Sequence, residues 1–169
     1  TKGPIMQRRF VEQFGIEVLA VPIDTTGAVV SSDWISLKNY QHATVIIAQG
    51  AWAGGTPAVT IDQATAVAGT GAKDLSYGDA NQWKKIALLS NTFTRTAITS
   101  DTFNLDNAAN TVTVFEVDAQ DLDVNADPPF DCFQVDIASP GANADLICVL
   151  VILSHPRFAQ AIMPAATIN

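Results

Sequence analysis

The sequence has few of the residues from which catalytic and metal sites are built. Two histidines, His42 and His155, and two cysteines occur among 169 residues. Neither histidine has a carboxylate or a second imidazole beside it at the spacing of metal ligands, so solvated or locally hydrogen-bonded histidines are expected. The chain also lacks a nucleophile elbow and a phosphate-binding glycine loop. These absences predict a protein that is not an enzyme and carries no cofactor or metal.

Basic residues and long apolar runs are scarce as well. Nine Lys and Arg residues stand against seventeen Asp and Glu, which gives a net charge of −8. Nucleic-acid binding requires clustered basic residues, and no basic stripe is present. The longest apolar run, residues 146–153, has eight residues, whereas a membrane-spanning helix needs about 20. The N-terminal segment has no signal-peptide pattern. We therefore expect a soluble, non-exported protein that binds neither nucleic acid nor membrane.

The two cysteines, Cys132 and Cys148, lie on either side of the turn "SPGANA". Strands paired symmetrically about that turn would place Cys132 opposite a residue near Val151 rather than opposite Cys148. A disulfide requires Cα atoms within about 7 Å and suitably directed Cβ atoms. Buried free thiols are therefore the favoured prediction, and a disulfide is the less favoured alternative.

Strand signals dominate the rest of the chain, of which 48% is hydrophobic and only 15% charged. Short β-branched or alternating runs recur between turns rich in Gly, Pro, Asn and Asp: residues 42–51, 58–67, 83–90, 93–100, 111–117, 132–137 and 146–153. This pattern predicts an all-β fold, an antiparallel, jelly-roll-like β-sandwich. We expect an N-terminal arm at 1–33, the sandwich at 34–158 and a C-terminal tail at 159–169. The runs 42–51 and 58–67 are expected to pair as a hairpin.

The run 146–153 is apolar on both faces of the expected strand. We expect a central strand whose Ile147, Val149, Val151 and Leu153 side faces the core, because successive side chains point to opposite faces. The other side needs a second cover, either a neighbouring subunit or the N-terminal arm. That side consists of Leu146, Cys148, Leu150 and Ile152.

An acidic stretch, "DLDVNAD", places oxygen-bearing side chains at every second position: Asp121, Asp123, Asn125 and Asp127. A calcium loop of the EF-hand type requires Gly at its sixth position and Glu at its twelfth. This chain has Ala126 and Cys132 there. A solvated acidic turn is the favoured interpretation, and an unclassified calcium site remains as an alternative.

Three long segments carry a resemblance to a known class of proteins. These are "SLKNYQHATVIIAQGAWAGGTPAVTIDQATAVAGTGAK", "TFNLDNAANTVTVFEVDAQDLD" and "FDCFQVDIASPGANADLICVLVILSHPRF". Over roughly residues 33–158 the chain resembles, in the same order, segments of small structural proteins encoded among the head genes of tailed bacteriophages. The resemblance implies a capsid decoration (cement) or minor head protein, and it transfers no catalytic residues.

The resemblance also implies partners and a location. The partners would be the major capsid protein and further copies of the chain, with a trimer favoured by analogy. The location would be the capsid exterior of the virion, after a soluble period in the host cytoplasm. Combined with the apolar runs, it gives a predicted set of interface residues: Arg8, Arg9, Phe10, Phe14, Leu146, Leu150, Ile152, Phe158, Ile162 and Met163. Arg8 and Arg9 would pair with acidic capsid surface, although a strand packed on its own domain is an equal alternative for the arm.

Two other classes of function remain as alternatives. A carbohydrate-binding or receptor-binding module of a virion appendage would use Trp52 or Trp83 as a platform, although core filling or subunit contact is the default role of large aromatic residues. A hydrolase with a calcium-supported β-fold is the third and weakest hypothesis, because histidine is scarce and the calcium-loop pattern fails.

Overall fold

Alternating apolar and polar residues build two antiparallel sheets in residues 10–75, 80–85 and 92–158, which the computed structural model describes. For 80–85 this description covers the backbone. All pairs of neighbouring strands run antiparallel. Short 3-10 turns occur at Phe10–Glu12 and Ala119–Asp121. No helix in the described part of the chain is long and apolar enough to span a membrane.

The larger sheet has six strands, numbered along the chain. Their order across the sheet is β1 (Gly15–Asp24), β12 (Asp145–Pro156), β4 (Tyr40–Trp52), β10 (Thr111–Asp118), β7 (Ala80–Lys85) and β8 (Thr94–Ile98).

The smaller sheet is built around two strands, β11 (Cys132–Ile137) and β5 (Ala58–Ala64). The short strands β2 (Val30–Ser31) and β3 (Ile35–Ser36) pair with the free side of β11, and β6 (Lys73–Asp74) and β9 (Thr102–Asn104) pair with the free side of β5.

The path of the chain between the sheets is that of a jelly roll. Apart from the β7–β8 hairpin, successive groups of strands cross from one sheet to the other, so that β1 and β12, the first and last described strands in sequence order, become neighbours. This nested arrangement is characteristic of two interlocked Greek keys. The predicted all-β, jelly-roll-like sandwich is confirmed.

Two predicted strand pairings are wrong. β4 and β5 lie in opposite sheets, and so do β11 and β12. The connections at 53–57 and 138–144 are long enough to cross a core about 10 Å thick, since an extended residue spans about 3.3 Å. Alternation identifies the inward residues but does not say which sheet a strand joins. One consequence is that Cys132 and Cys148 occupy different sheets, and both thiols are free.

The core lies between the inner faces of the two sheets. Ile147, Val149, Val151 and Leu153 of β12 are all at most 2% exposed, which confirms the predicted inner face of this strand. From the other elements the largest fully buried side chains include Tyr40, Phe115 and Phe133. The rings of Phe103 and Phe115 meet edge to face with centroids 5.4 Å apart.

The described part of the predicted N-terminal arm contains a strand paired within its own sheet. β1 runs antiparallel to β12, with Gly15 opposite Leu153, and it buries Leu19 and Ala20. A Cβ atom at Gly15 would lie 2.9 Å from the Tyr40 hydroxyl, so only glycine fits there without displacement. β1 therefore lies beside β12 and not across the outer side of that strand.

Candidate functional site: the outer face of the larger sheet and an adjoining pocket

The solvent-facing side of the larger sheet carries a continuous group of apolar side chains. In register across four strands, Val18 lies beside Leu150, Leu150 beside Ile46, and Ile46 beside Val114. Flanking rows complete a surface that we call the outer apolar face: Ile16, Val18, Ile46, Ala48, Val112, Val114, Cys148, Leu150 and Ile152.

Every residue of the outer apolar face is at least partly exposed. Val18 is 57% exposed and Ile16 49%. Soluble monomers scatter exposed apolar residues, but adjacent residues on neighbouring strands form a patch that is typical of an interaction surface. The outer apolar face is thus a continuous, partly exposed apolar patch of the larger sheet.

Only part of the predicted interface set lies on this face. Leu150 and Ile152 belong to it, and Leu146 lies at the start of the same strand with 42% exposure. Phe10 and Phe14 stack with ring centroids 4.5 Å apart just before β1. Phe158 follows the end of β12 and is 66% exposed. Arg8, Arg9, Ile162 and Met163 lie outside the described residues.

The sequence interpretation missed the part of the face that β4 and β10 contribute. Ile46, Ala48, Val112 and Val114 were not predicted as interface residues, whereas Ile16 and Val18 lie within residues 7–21, the arm segment expected to make lattice or intersubunit contacts. The signal was present, because β4 and β10 carry apolar residues at both alternating positions, as β12 does. Assembling these residues into one surface requires the pairing register, which joins positions about a hundred residues apart.

A pocket of about 390 Å³ adjoins the outer apolar face, at the end of the sheet where β4 begins and β10 and β12 end. We call it the end pocket. Its polar lining comes from the ends of three strands and the residues that directly follow them: Gln41, His42, Asp118, Gln120, His155 and Arg157. This pocket could not be predicted from the sequence, since its residues are brought together only by the register of the strands.

The two histidines meet in the end pocket, with ring centroids 6.0 Å apart and nearly perpendicular planes. His42 donates through Nδ1 to an Asp118 carboxylate oxygen 2.6 Å away, and its Nε2 lies 3.3 Å from the Thr44 hydroxyl and 3.7 Å from Glu116. His42 is thus hydrogen-bonded, as one form of the sequence expectation allowed, but its partner Asp118 is distant in the sequence. The strand pairing places Asp118 directly opposite it.

The outer side of the smaller sheet has the opposite character. Asp62 of β5 lies beside Asp74 of β6 and Gln134 of β11, and Asp136 follows on the same side of β11. Burial raises the pKa of Asp62, and the carboxylates of Asp136, Asp74 and Asp101 raise it further. No group of three or more His, Cys, Asp or Glu residues in the described ranges is arranged to hold a metal ion.

The acidic stretch near residue 121 is bonded to the fold. Asp121 accepts a hydrogen bond from the backbone N–H of Asp118 at 2.8 Å. Asp123 pairs with the Lys73 ammonium, and its backbone N–H donates to Gln63 Oε1 at 2.9 Å. Lys73 also lies over the Phe130 ring, 4.4 Å from the centroid. These contacts give the loop a structural role in joining β5 and β6 to the connection before β11.

The other residues considered for a functional role are a cysteine and the tryptophans. Burial, reinforced by Asp131, raises the pKa of the Cys132 thiol to about 12, so it is a poor nucleophile. Trp52 is partly buried and donates its indole N–H to the Gly55 carbonyl at 3.2 Å. Trp34 packs against Gly69. Trp83 lies opposite Val114 in the register of β7 and β10.

The fold defines the class of protein as a jelly-roll β-sandwich. No protein-family model matches the chain, and no curated protein matches it either. Among solved structures, the chain is similar to the SPBc2 prophage-derived protein YomS, with a TM-score of 0.45 and 6% identity over 82% of this chain and 92% of that one.

Proposed function

We propose that this protein is a structural virion protein of a tailed bacteriophage, a decoration protein that binds the exterior of the head and stabilises junctions between capsomers. The observation that carries the proposal is the outer apolar face, because a protein partner would remove its exposed apolar side chains from water. The resemblance of residues 33–158 to phage head proteins supplies the virion context. Such a protein acts by adding buried area, with about 800 Å² per partner in a specific contact of standard size.

In this proposal the outer apolar face joins copies of the chain. Its central row, Val18, Leu150, Ile46 and Val114, contains no charged residue. The acidic side of the smaller sheet would repel a second copy, whereas apolar surface can be buried without desolvating a charge. Closed homo-oligomers are common, and a trimer is the state that the resemblance favours.

The capsid would then contact other parts of the molecule. Phe10, Phe14 and Phe158 lie at the end of the larger sheet where β1 begins and β12 ends. Together with the predicted residues Arg8, Arg9, Ile162 and Met163, they are the proposed lattice contacts. Many copies acting together sum weak contacts into firm attachment to the shell.

Sedimentation of the full chain over a dilution series tests the contact between copies. We expect a species of several times 17.9 kDa for the wild type and the single-chain mass for Leu150→Glu, because a charge would be buried in the contact. Ala58→Glu, the same substitution on the outer side of the smaller sheet, should leave the oligomer intact. A wild-type protein that is a single chain at all concentrations would contradict this part.

Cryo-electron microscopy of purified particles tests the contact with the capsid. We expect density for this chain on the outside of the shell at capsomer junctions. If virions contained no copy of the chain, the decoration role would be wrong even if the chain formed oligomers in solution.

A further inference from the structure

We propose that the end pocket binds a polyhydroxylated ligand, a hexose unit of a glycan. This inference goes beyond the structural role proposed above and does not rest on it. The juxtaposition that carries it is the meeting of two imidazoles, two amides, one carboxylate and one guanidinium around one cavity.

The end pocket has the size of a ligand site and an open mouth. Its volume of about 390 Å³ falls within the range of small-molecule sites, about 300 to 1,000 Å³. Three strand ends of the larger sheet build its walls, so the backbone beneath it is held by the pairing of β12 and β10 with β4. Sites on such paired strands keep their geometry better than sites on free loops.

Two of its side chains are held in place before any ligand arrives. His42 is fixed between Asp118 and Thr44 by the contacts at its two ring nitrogens. His155 has a φ of 53°, in the left-handed region, and its Nδ1 lies 3.0 Å from the Ser154 hydroxyl. A residue other than glycine in this conformation costs on the order of 1 kcal/mol or more and tends to occur at binding sites.

Other side chains in the pocket have hydrogen-bonding capacity to offer. Arg157 forms no ion pair with another described residue, and the side-chain amides of Gln41 and Gln120 make no hydrogen bond within the described chain. The guanidinium supplies donors only, and each amide supplies both donors and an acceptor. The pocket therefore offers a ligand both hydrogen-bond donors and hydrogen-bond acceptors.

The charge balance of the lining selects the class of ligand. Asp118 and Arg157 contribute one charge of each sign, so the lining is neutral when both imidazoles are neutral. The Asp118 carboxylate would repel a phosphate. The described residues do not provide the three ligands that a metal ion requires. The planar amides of Gln41 and Gln120 and the guanidinium of Arg157 match neighbouring hydroxyl groups of a sugar. Each sugar hydroxyl can both donate and accept a hydrogen bond.

Titration of the ¹⁵N-labelled full chain, followed by amide chemical shifts, tests this inference. The probes are glucose, galactose and N-acetylglucosamine, with inorganic phosphate as the anion arm. We expect a saturable response to at least one hexose, confined to residues 41–42, 118–120 and 155–157. Arg157→Ala and Gln120→Ala, both at exposed positions, should weaken that affinity about tenfold each, while Thr96→Ala on β8 should leave it unchanged.

Three results would overturn the inference: no saturable response to any hexose, an equal response in the wild type and in both pocket variants, or tighter binding of phosphate at the same residues. The dispersion of the amide spectrum shows that each variant is folded. Repeating the titration on Leu150→Glu separates this inference from the proposed assembly, since a single chain retains the complete end pocket.

Discussion

The two outer sides of the sandwich have opposite chemistry although their inner sides are alike. On both sheets the inward positions are apolar, as Val149 and Val151 are in β12 and Val59 and Ile61 are in β5. Outward, β12 presents Leu150 where β5 presents Asp62. The inner pattern therefore accounts for the sandwich, and the outer pattern determines what each sheet meets. One side is suited to burial against a partner and the other to remaining in water.

The largest expected effect comes from placing the same substitution on the two sides of one strand. Val151→Glu should lower the free energy of unfolding by more than about 4 kcal/mol, because it buries a charge in the core. Leu150→Glu, one residue away, should change the stability of the isolated chain by no more than about 1 kcal/mol. Urea unfolding of both variants under single-chain conditions measures the difference. Equal losses would mean that the outer apolar face is covered within one chain.

A smaller effect is expected from a carboxyl group that the larger sheet buries. Asp145 is fully buried, accepts a hydrogen bond from Gln49 at 2.9 Å, and leaves its other carboxylate oxygen without a partner. Burial raises its pKa in the folded protein. The unfolded chain therefore loses the proton first, and stability falls as the pH rises from 3.8, the ordinary pKa of an Asp side chain, towards the raised pKa of the folded state.

Asp145→Asn removes that titration while keeping an oxygen for Gln49. We expect it to stabilise the protein at pH 7 by about 1 kcal/mol and to flatten stability against pH in the acid range. Thermal unfolding of both proteins between pH 4 and pH 7 measures this. A variant less stable than the wild type at pH 7 would show that the ionised carboxylate is stabilising.

The smallest effect is expected on the acidic side of the smaller sheet. The pKa of Asp62 is raised by burial and by three neighbouring carboxylates, so its ionised form opposes folding at neutral pH. Asp62→Asn should add a few tenths of a kcal/mol at pH 7. The gain should shrink with added salt, which screens exposed charges. If the gain in stability did not depend on salt, burial of the Asp62 carboxylate would be its cause, and repulsion by the neighbouring carboxylates would not.

Local alternation was sufficient to predict seven of the strands and the inner side of β12, but neither β1 nor which strands are neighbours. It identified the inward residues of β12, because a period of two is a property of the strand itself. It paired β4 with β5 and β11 with β12, because nothing within a strand records which sheet it enters. Leu150 was recognised as needing a cover, whereas Ile46 beside it was not, since their adjacency depends on the register of β12 with β4.

The end pocket likewise could not be predicted from local sequence patterns. His42 and Asp118 stand 76 positions apart in the sequence and form a 2.6 Å hydrogen bond. Neither residue has a local pattern that distinguishes it from an ordinary surface residue. Their meeting follows from the pairing of β10 with β4, and that of His155 with His42 from the pairing of β12 with β4.

The position of β12 between β1 and β4 has a consequence for synthesis of the protein. The ribosome makes β1 first among the strands and β12 last, yet β12 supplies the only described neighbour of β1 and one of the two neighbours of β4. A nascent chain therefore holds β1 unpaired until β12 has left the exit tunnel. Closure of the larger sheet, and with it of the outer apolar face, therefore depends on the last described strand of the chain.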